Sequence, residues 1–227
     1  MRHYPQLAIL IPCYNEEECV LEAIKSACPF GQVFVLNNGS TDKTVQKAKT
    51  TSAIVLHESR SGYGNAVMMG MLEAKRLGKT IAIVLDADLS DNPHNIPVLM
   101  EPIIKGEKDF VLSSRTRKED RGNLEIHQRL GNQLAVWLIK KSINYQYQDM
   151  GPFRAFDIQK ILDLQMEDAN FGWNIEMQMK AVHAELRIQE IELPYRKRLA
   201  GTSKVSGNLK SSLKAGRIIL QSVFRYA

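Results

Sequence analysis

Short apolar runs alternate with longer amphipathic ones through the first half of the chain, and this alternation narrows the fold more than any other feature. Residues 7–12, 33–36, 53–56, 81–85 and 110–112 are apolar enough to be strands buried on both faces. Between them, residues 17–27, 41–50, 63–77 and 94–105 carry the apolar spacing of helices. Strand and helix in turn predict βαβ units, a mainly parallel central sheet in an α/β three-layer sandwich of Rossmann type, and ligands bound beyond the carboxyl ends of the strands.

After Arg115 the pattern changes. Residues 117–123, RKEDRGN, are charged and break-prone and are expected to form a mobile loop. A long helix is expected over 124–142, then a compact segment holding DMGPFRAFD at 149–157. Helical stretches at 158–164 and 172–184 precede a strand at 186–193, and the last twenty residues again read as a helix. The 227 residues fit one domain whose second half builds a wall facing the first.

The polar residues test that arrangement. The first strand ends in Cys13, Tyr14, Asn15 and Glu16, the second in Asn37, Asn38 and the run Gly39 to Asp42, the fourth in Asp86, Ala87 and Asp88. All three ends fall on one edge of a parallel sheet. Ser40 and Thr41 read as helix caps, with Asp42 favouring the helix N-terminus, and Asp91 before Asn92-Pro93 reads as a turn or cap residue.

Two carboxylates one residue apart project to opposite sides of an extended chain, so Asp86 and Asp88 meet one ion only if the chain turns, and Leu89 to Pro93 supplies a turn. Mg²⁺ or Mn²⁺ takes roughly six oxygens at about 2.1 Å, commonly one or two carboxylates with phosphate and water. A diphosphate is the natural third party. The same letters also suit a phosphohydrolase with Asp86 as nucleophile, but such a strand usually opens its domain and here three strand and helix units precede it.

ILIPCYNEEE at 9–18, VFVLNNGSTDKT at 33–44, GYGNAVMMG at 62–70, LDADLSDNP at 85–93, DMGPFRAF at 149–156 and GWNIEMQMKA at 172–181 together resemble the family 2 glycosyltransferases with the GT-A fold, among them bacterial relatives of dolichyl-phosphate mannose synthase. A late G-x-S-K at Gly201 to Lys204 extends the likeness. The resemblance implies transfer of a hexose, with inversion, from a UDP- or GDP-linked donor held with Mg²⁺ or Mn²⁺. It implies a nucleotide-binding half over about 1–115, an acceptor half over about 116–207 and a basic C-terminal helix over about 208–227. Pro12, Tyr14, Asn15 and Glu16 would touch the nucleoside. Asp86 would lie near ribose or metal with Ala87 beside it, and Asp88 would hold the metal against the diphosphate. The family usually carries an acid where this chain has Asn37 and Asn38, whose amides can still donate and accept toward a base. Arg198 and Lys204 would close over the diphosphate.

For the acceptor, Arg115 and Arg129 match positions that would grip the phosphate of a polyprenyl-phosphate acceptor, and a guanidinium suits bidentate phosphate contact. A hydroxyl acceptor, soluble or glycan, would need a base, for which Asp149 and Glu176 are the candidates. With a phosphate acceptor, Asp149 is expected to orient Arg154 or its loop, and Glu176 to lie on a helix lining the site. His127 and His183 read as ordinary helix residues. A nucleotide-sugar-binding protein that has lost transfer is a third reading.

Three cysteines, Cys13, Cys19 and Cys28, give no disulfide framework or zinc spacing, and reduced thiols in a cytoplasmic chain are expected. No run approaches a membrane span. The net charge of +5 is concentrated at the end, where eight Lys or Arg and no acid follow Leu193. No nucleic-acid motif accompanies them, so nucleic acid is not expected as a partner. Leu209, Leu213, Leu220 and Val223, flanked by Lys210, Lys214, Arg217 and Arg225, could instead lay the C-terminal helix on the inner face of an anionic membrane, or pack on the domain itself.

Overall fold

A computed structural model describes residues 3–124, 126–199 and 209–227. Seven strands form one sheet: β1 (Leu7–Cys13), β2 (Gln32–Asn37), β3 (Ile54–His57), β4 (Ile81–Val84), β5 (Phe110–Ser114), β6 (Arg154–Asp157) and β7 (Ile188–Glu192), in the order β3-β2-β1-β4-β6-β5-β7. β1 pairs in parallel with β2 and β4, β2 with β3, and β5 with β7, while β6 runs antiparallel between β4 and β5.

Alternate residues of each strand feed two cores. Ile9, Ile11, Val33, Val35 and Ile83 face α1 (Val20–Ala27) and α4 (Ile96–Ile104). Leu10, Phe34, Leu36, Ala82 and Val84 face α3 (Tyr63–Arg76), with α5 (Ile126–Ile143), α6 (Ile158–Asp163), α7 (Trp173–His183) and α8 (Leu209–Tyr226) completing that layer. The short α2 (Thr44–Ala48) joins β2 to β3. Each fully buried Ile or Leu stabilises the fold by roughly 1.5–3 kcal/mol, so a slip of one residue in β1 would forfeit several such terms at once. Gly70 sets how closely α3 lies on the sheet, because a Cβ there would meet Leu36 at 2.8 Å.

The chain winds from β1 through β2 to β3, then crosses back to place β4 on the other side of β1. The order therefore reverses between β1 and β4, and ligands of such sheets bind at that switch, beyond the carboxyl ends. The two strands that lead into Tyr14–Glu16 and into Asp86–Asp88 are the switch strands.

The mainly parallel sheet is as expected, with one addition. Residues 154–157 are a central strand, not a compact segment; four residues beginning with an arginine give no apolar run to recognise. Residues 117–123, expected as a mobile loop, include a 3-10 turn over Lys118–Asn123 that is tied to the later chain, since Asp120 Oδ2 accepts from Tyr195 N at 3.0 Å and Asn123 Nδ2 donates to Tyr195 O at 2.7 Å. The caps also differ. Ser40 Oγ receives the Asn15 N–H and Thr41 N donates to Asn15 Oδ1, so neither caps α2, while Asp42 Oδ1 accepts from Thr44 N.

On α8, Val223 and Tyr226 are buried, and the helix packs on α5 and α7. The apolar stripe expected to meet a membrane is thus partly spent within the protein. The side chains of Leu209, Lys210, Leu213 and Lys214, and the whole of Gly201 to Lys204, lie outside the described residues. Among the described residues no helix is long and apolar enough to cross a membrane.

Candidate active site

The exit of β1 is knitted to the exit of β2. Asn15 takes a left-handed backbone (φ 55°), donates its N–H to Ser40 Oγ at 3.0 Å and accepts from Thr41 N at 2.8 Å. Glu16 N donates to Thr44 Oγ1 at 2.8 Å. Tyr14 stands half exposed between them and Pro12 is partly exposed, leaving a ring and an apolar edge facing out of the crevice.

The exit of β4 turns sharply. Leu89 is left-handed (φ 59°), a conformation costly for a branched side chain and enriched at functional sites. It brings the acids together. Asp88 is buried, its Oδ1 accepting from Ser90 N at 2.9 Å and Ser90 Oγ at 2.5 Å, its Oδ2 lying 3.3 Å from Arg198 Nη2. Asp86, half-buried, has its carboxyl raised above the usual range by burial and then by the charge of Asp88, with Arg115 opposing.

Asp91 is a third carboxylate of this corner. Expected as a cap, it is buried, and Asn92 is the cap instead, accepting from His94 N at 3.1 Å. Burial pushes the Asp91 carboxyl up to about 8 against the pull of Arg115, and its Oδ2 has no hydrogen-bond partner among the described residues. Nothing in D-N-P distinguishes this acid from a turn residue; only the fold reveals it.

The strap 195–199 covers the corner. Arg196 N donates to Ser90 O and Leu199 N to Asp88 O, each at 2.9 Å, which delivers Arg198 to Asp88. Lys204, its expected companion, lies outside the described residues.

The residues expected on the acceptor side form a second group. Arg115, at the end of β5, is gripped by Asp149: Nε to Oδ2 at 2.7 Å, Nη2 to Oδ1 at 2.9 Å, and its own N–H to Oδ2 at 2.8 Å. Its guanidinium lies 5.3 Å from the Tyr195 ring centroid. Burial would raise the Asp149 carboxyl, but Arg115 prevails and holds it below the ordinary range. Of the two expectations, Arg154 or the loop, Asp149 meets the second, accepting from Met150 N at 2.7 Å; it also orients Arg115, and is a poor base. Arg115, Thr116, Leu124, Arg129, Asn132, Gln133, Gln148 and Asp149 line one cleft of about 270 Å³, so the two arginines paired from sequence do share a site.

Other expected residues have internal duties. Asn38 donates to Arg60 O at 2.9 Å and Glu58 O at 3.4 Å and accepts from Gly62 N at 2.7 Å, so both its amide hydrogens and its carbonyl hold the loop that enters α3. Asn37 Oδ1 accepts from Ser40 N and its Nδ2 lies 3.2 Å from His57 Nδ1, leaving one amide hydrogen. Glu176, fully buried, accepts from Glu167 N and Asp168 N, each at 2.7 Å, and pairs with Lys180 at 2.8 Å. It is a loop anchor rather than a base. Arg154 is buried, donates to Gly151 O and Pro152 O and shapes the turn below Arg115. His183 lies 3.2 Å from Tyr226 O, a link between helices.

Among the described residues no three His, Cys, Asp or Glu side chains form a self-sufficient metal cage. The acids at the β4 exit nevertheless suit a hard cation: two carboxylates, one of them raised by the other, and a guanidinium already drawn to Asp88.

Acids at a switch-point strand, roofed by a strap, and a separate cleft lined by two arginines are set in the GT-A fold of a nucleotide-sugar glycosyltransferase. The chain belongs to glycosyl transferase family 2, whose profile matches residues 8–162. An uncharacterized glycosyltransferase of Mycobacterium tuberculosis is 33% identical over 210 residues, covering 92% of this chain and 94% of that one. The undecaprenyl-phosphate mannosyltransferase of Micrococcus luteus is 26% identical over 221 residues, covering 88% and 87%. Among solved structures, glucosyl-3-phosphoglycerate synthase of Mycobacterium tuberculosis, in complex with Mn²⁺, UDP and phosphoglyceric acid, shares the fold with a TM-score of 0.76 at 19% identity, over 97% of this chain and 78% of that one.

Proposed function

We propose that the protein transfers a hexose, with inversion, from a UDP- or GDP-linked donor to a polyprenyl phosphate. The observation that carries the acceptor is the cleft. Arg115, held in place by Asp149, and Arg129 line it together, giving a fixed guanidinium and a second positive charge for a phosphate monoester. Both candidate bases, Asp149 and Glu176, are committed elsewhere. A hydroxyl acceptor would need such a base, whereas a phosphate arrives already ionised.

On the donor side, Asp86 and Asp88 would hold Mg²⁺ or Mn²⁺, with Asp91 close enough to feel their charge. Bound there with the diphosphate, the ion would offset the charge that develops on the leaving nucleoside diphosphate. Tyr14, with Pro12, Asn15 and Glu16, would receive the nucleoside. Arg198 would exchange Asp88 for the diphosphate, the same guanidinium serving an anion before and after donor binding.

The assay supplies labelled UDP-glucose or GDP-mannose with Mn²⁺ and either undecaprenyl phosphate or 3-phosphoglycerate. Label in the organic extract is the expected result. Label transferred only to the soluble acid would replace the lipid acceptor with a soluble one, in keeping with the phosphoglyceric acid bound in the mycobacterial structure.

A further inference from the structure

We propose that the outer face shared by α5 and α8 docks on an anionic bilayer, bringing the acceptor cleft to the headgroup layer. The inference rests on the lipid-phosphate reading of the cleft and names a surface centred on α5, which takes in Leu220, an exposed member of the α8 stripe.

On α5, Ile126, Leu130, Leu134 and Trp137 recur at spacings of four, four and three, which at 3.6 residues per turn places them within an arc of about 80°. All four are exposed, Leu130 by 61% and Trp137 by 55%. The opposite side of the helix, at Ala135 and Ile139, is buried in the core. Going round the helix from the apolar arc in one direction leads to Arg129, Asn132 and Gln133, which line the cleft. In the other direction lies Gly131, where Ile219 of α8 comes close. On α8, which packs against α5, Leu220 and Phe224 lie one turn apart and are exposed, Phe224 by 78%. An apolar strip thus runs directly beside the phosphate cleft on the same helix. A lipid whose phosphate enters the cleft would lie with its chain along that strip.

Charge selects the occupant. The 36 residues of α5 and α8 include seven Lys or Arg and no Asp or Glu. Of these, Lys140, Lys141 and Arg217 are exposed, and Arg225 is paired with Glu167. A second copy of this chain docked through the same face would set like charges against each other. An anionic bilayer accepts both the bases and the apolar arc, with Trp137 in the interfacial layer where indole is favoured.

The chain has two tryptophans, and Trp173 is buried, so a change in emission reports Trp137. Vesicles of phosphatidylglycerol and phosphatidylcholine at low salt should shift the emission to the blue, and brominated acyl chains should quench it. Phosphatidylcholine alone should do neither. The double variant Leu130→Glu, Phe224→Glu should keep the parent's melting temperature and lose at least roughly tenfold in vesicle partition. The parent protein should glycosylate a short-chain, water-soluble polyprenyl phosphate in the absence of vesicles. No shift with phosphatidylglycerol vesicles, unchanged partition of the double variant, or a lipid-free blue shift accompanied by a dimer mass in sedimentation would each overturn the proposal. If the analogue is glycosylated while vesicles are ignored, docking falls and the acceptor assignment stands. Vesicle binding without transfer to the analogue supports docking and removes the acceptor assignment.

Discussion

Replacing Asp149 by alanine tests the link between the two halves of the site. The carboxylate accepts four hydrogen bonds: the Arg115 fork at 2.7 and 2.9 Å, Arg115 N at 2.8 Å and Met150 N at 2.7 Å. Side-chain exposure is 14% for Arg115 and 2% for Asp149, so the alanine variant strands a nearly buried guanidinium. Breaking one side of such a pair costs about 3–5 kcal/mol. At about 2–4 °C per kcal/mol for a chain of this size, the melting temperature should fall by roughly 6–20 °C at pH 7. The sign of the pH dependence follows from the lowered folded value of Asp149. Its stabilisation is complete above the unfolded carboxylate value of about 3.9 and is lost as pH falls through the lower folded value. Circular-dichroism melts of parent and variant from pH 8 to pH 3 should therefore show a constant gap down to about pH 5 that narrows in the acid range. With Arg115 released, KM for the acceptor should rise while KM for the donor holds. A gap under about 2 °C at pH 7, or one that persists undiminished at pH 3, would refute the reasoning.

Asp88→Asn should lower the initial rate at saturating Mn²⁺ by at least about a hundredfold, with little change in melting temperature, because it removes a charge that Asp86 opposes. Mn²⁺ with UDP or GDP at about a hundred times their Kd should stabilise the protein by about 2.7 kcal/mol, seen as a rise of roughly 5–11 °C in the melting temperature that chelation reverses. Gly64→Ala places a Cβ 2.1 Å from Asp168 O and 2.9 Å from the Trp173 ring, so it should cost about 1–3 kcal/mol in urea melts; no shift in midpoint would mean that the loop holding Asp168 yields freely.

What was legible in the sequence was what repeats locally. The runs that became β1, β2, β4 and β5 are strongly apolar because both faces of the sheet are covered, and their polar sequels mark the binding edge. β6 escaped because Arg154 opens a four-residue strand, and its antiparallel direction is set by partners far away in sequence. The acid pair was legible as a motif, but the third acid was not, since Asp91 gains its character from burial beneath residues 195–199. Likewise Asp149 and Arg115 are 34 residues apart, and no spacing rule couples a strand end to a distant loop. Asn38 and Glu176 fit the motif positions and are nonetheless engaged by main-chain groups that only the folded loops supply.

Main-chain bonds from Arg196 and Leu199 to the carbonyls of Ser90 and Asp88 fasten the roof of the crevice to its floor. Cutting the chain before Tyr195 would therefore strip more than a tail: Arg115 would lose the ring it rests on, Asp88 its guanidinium, and the left-handed bend at Leu89 the backbone that braces it. The segment from Tyr195 onward is in this sense a keystone for acids encoded a hundred residues earlier.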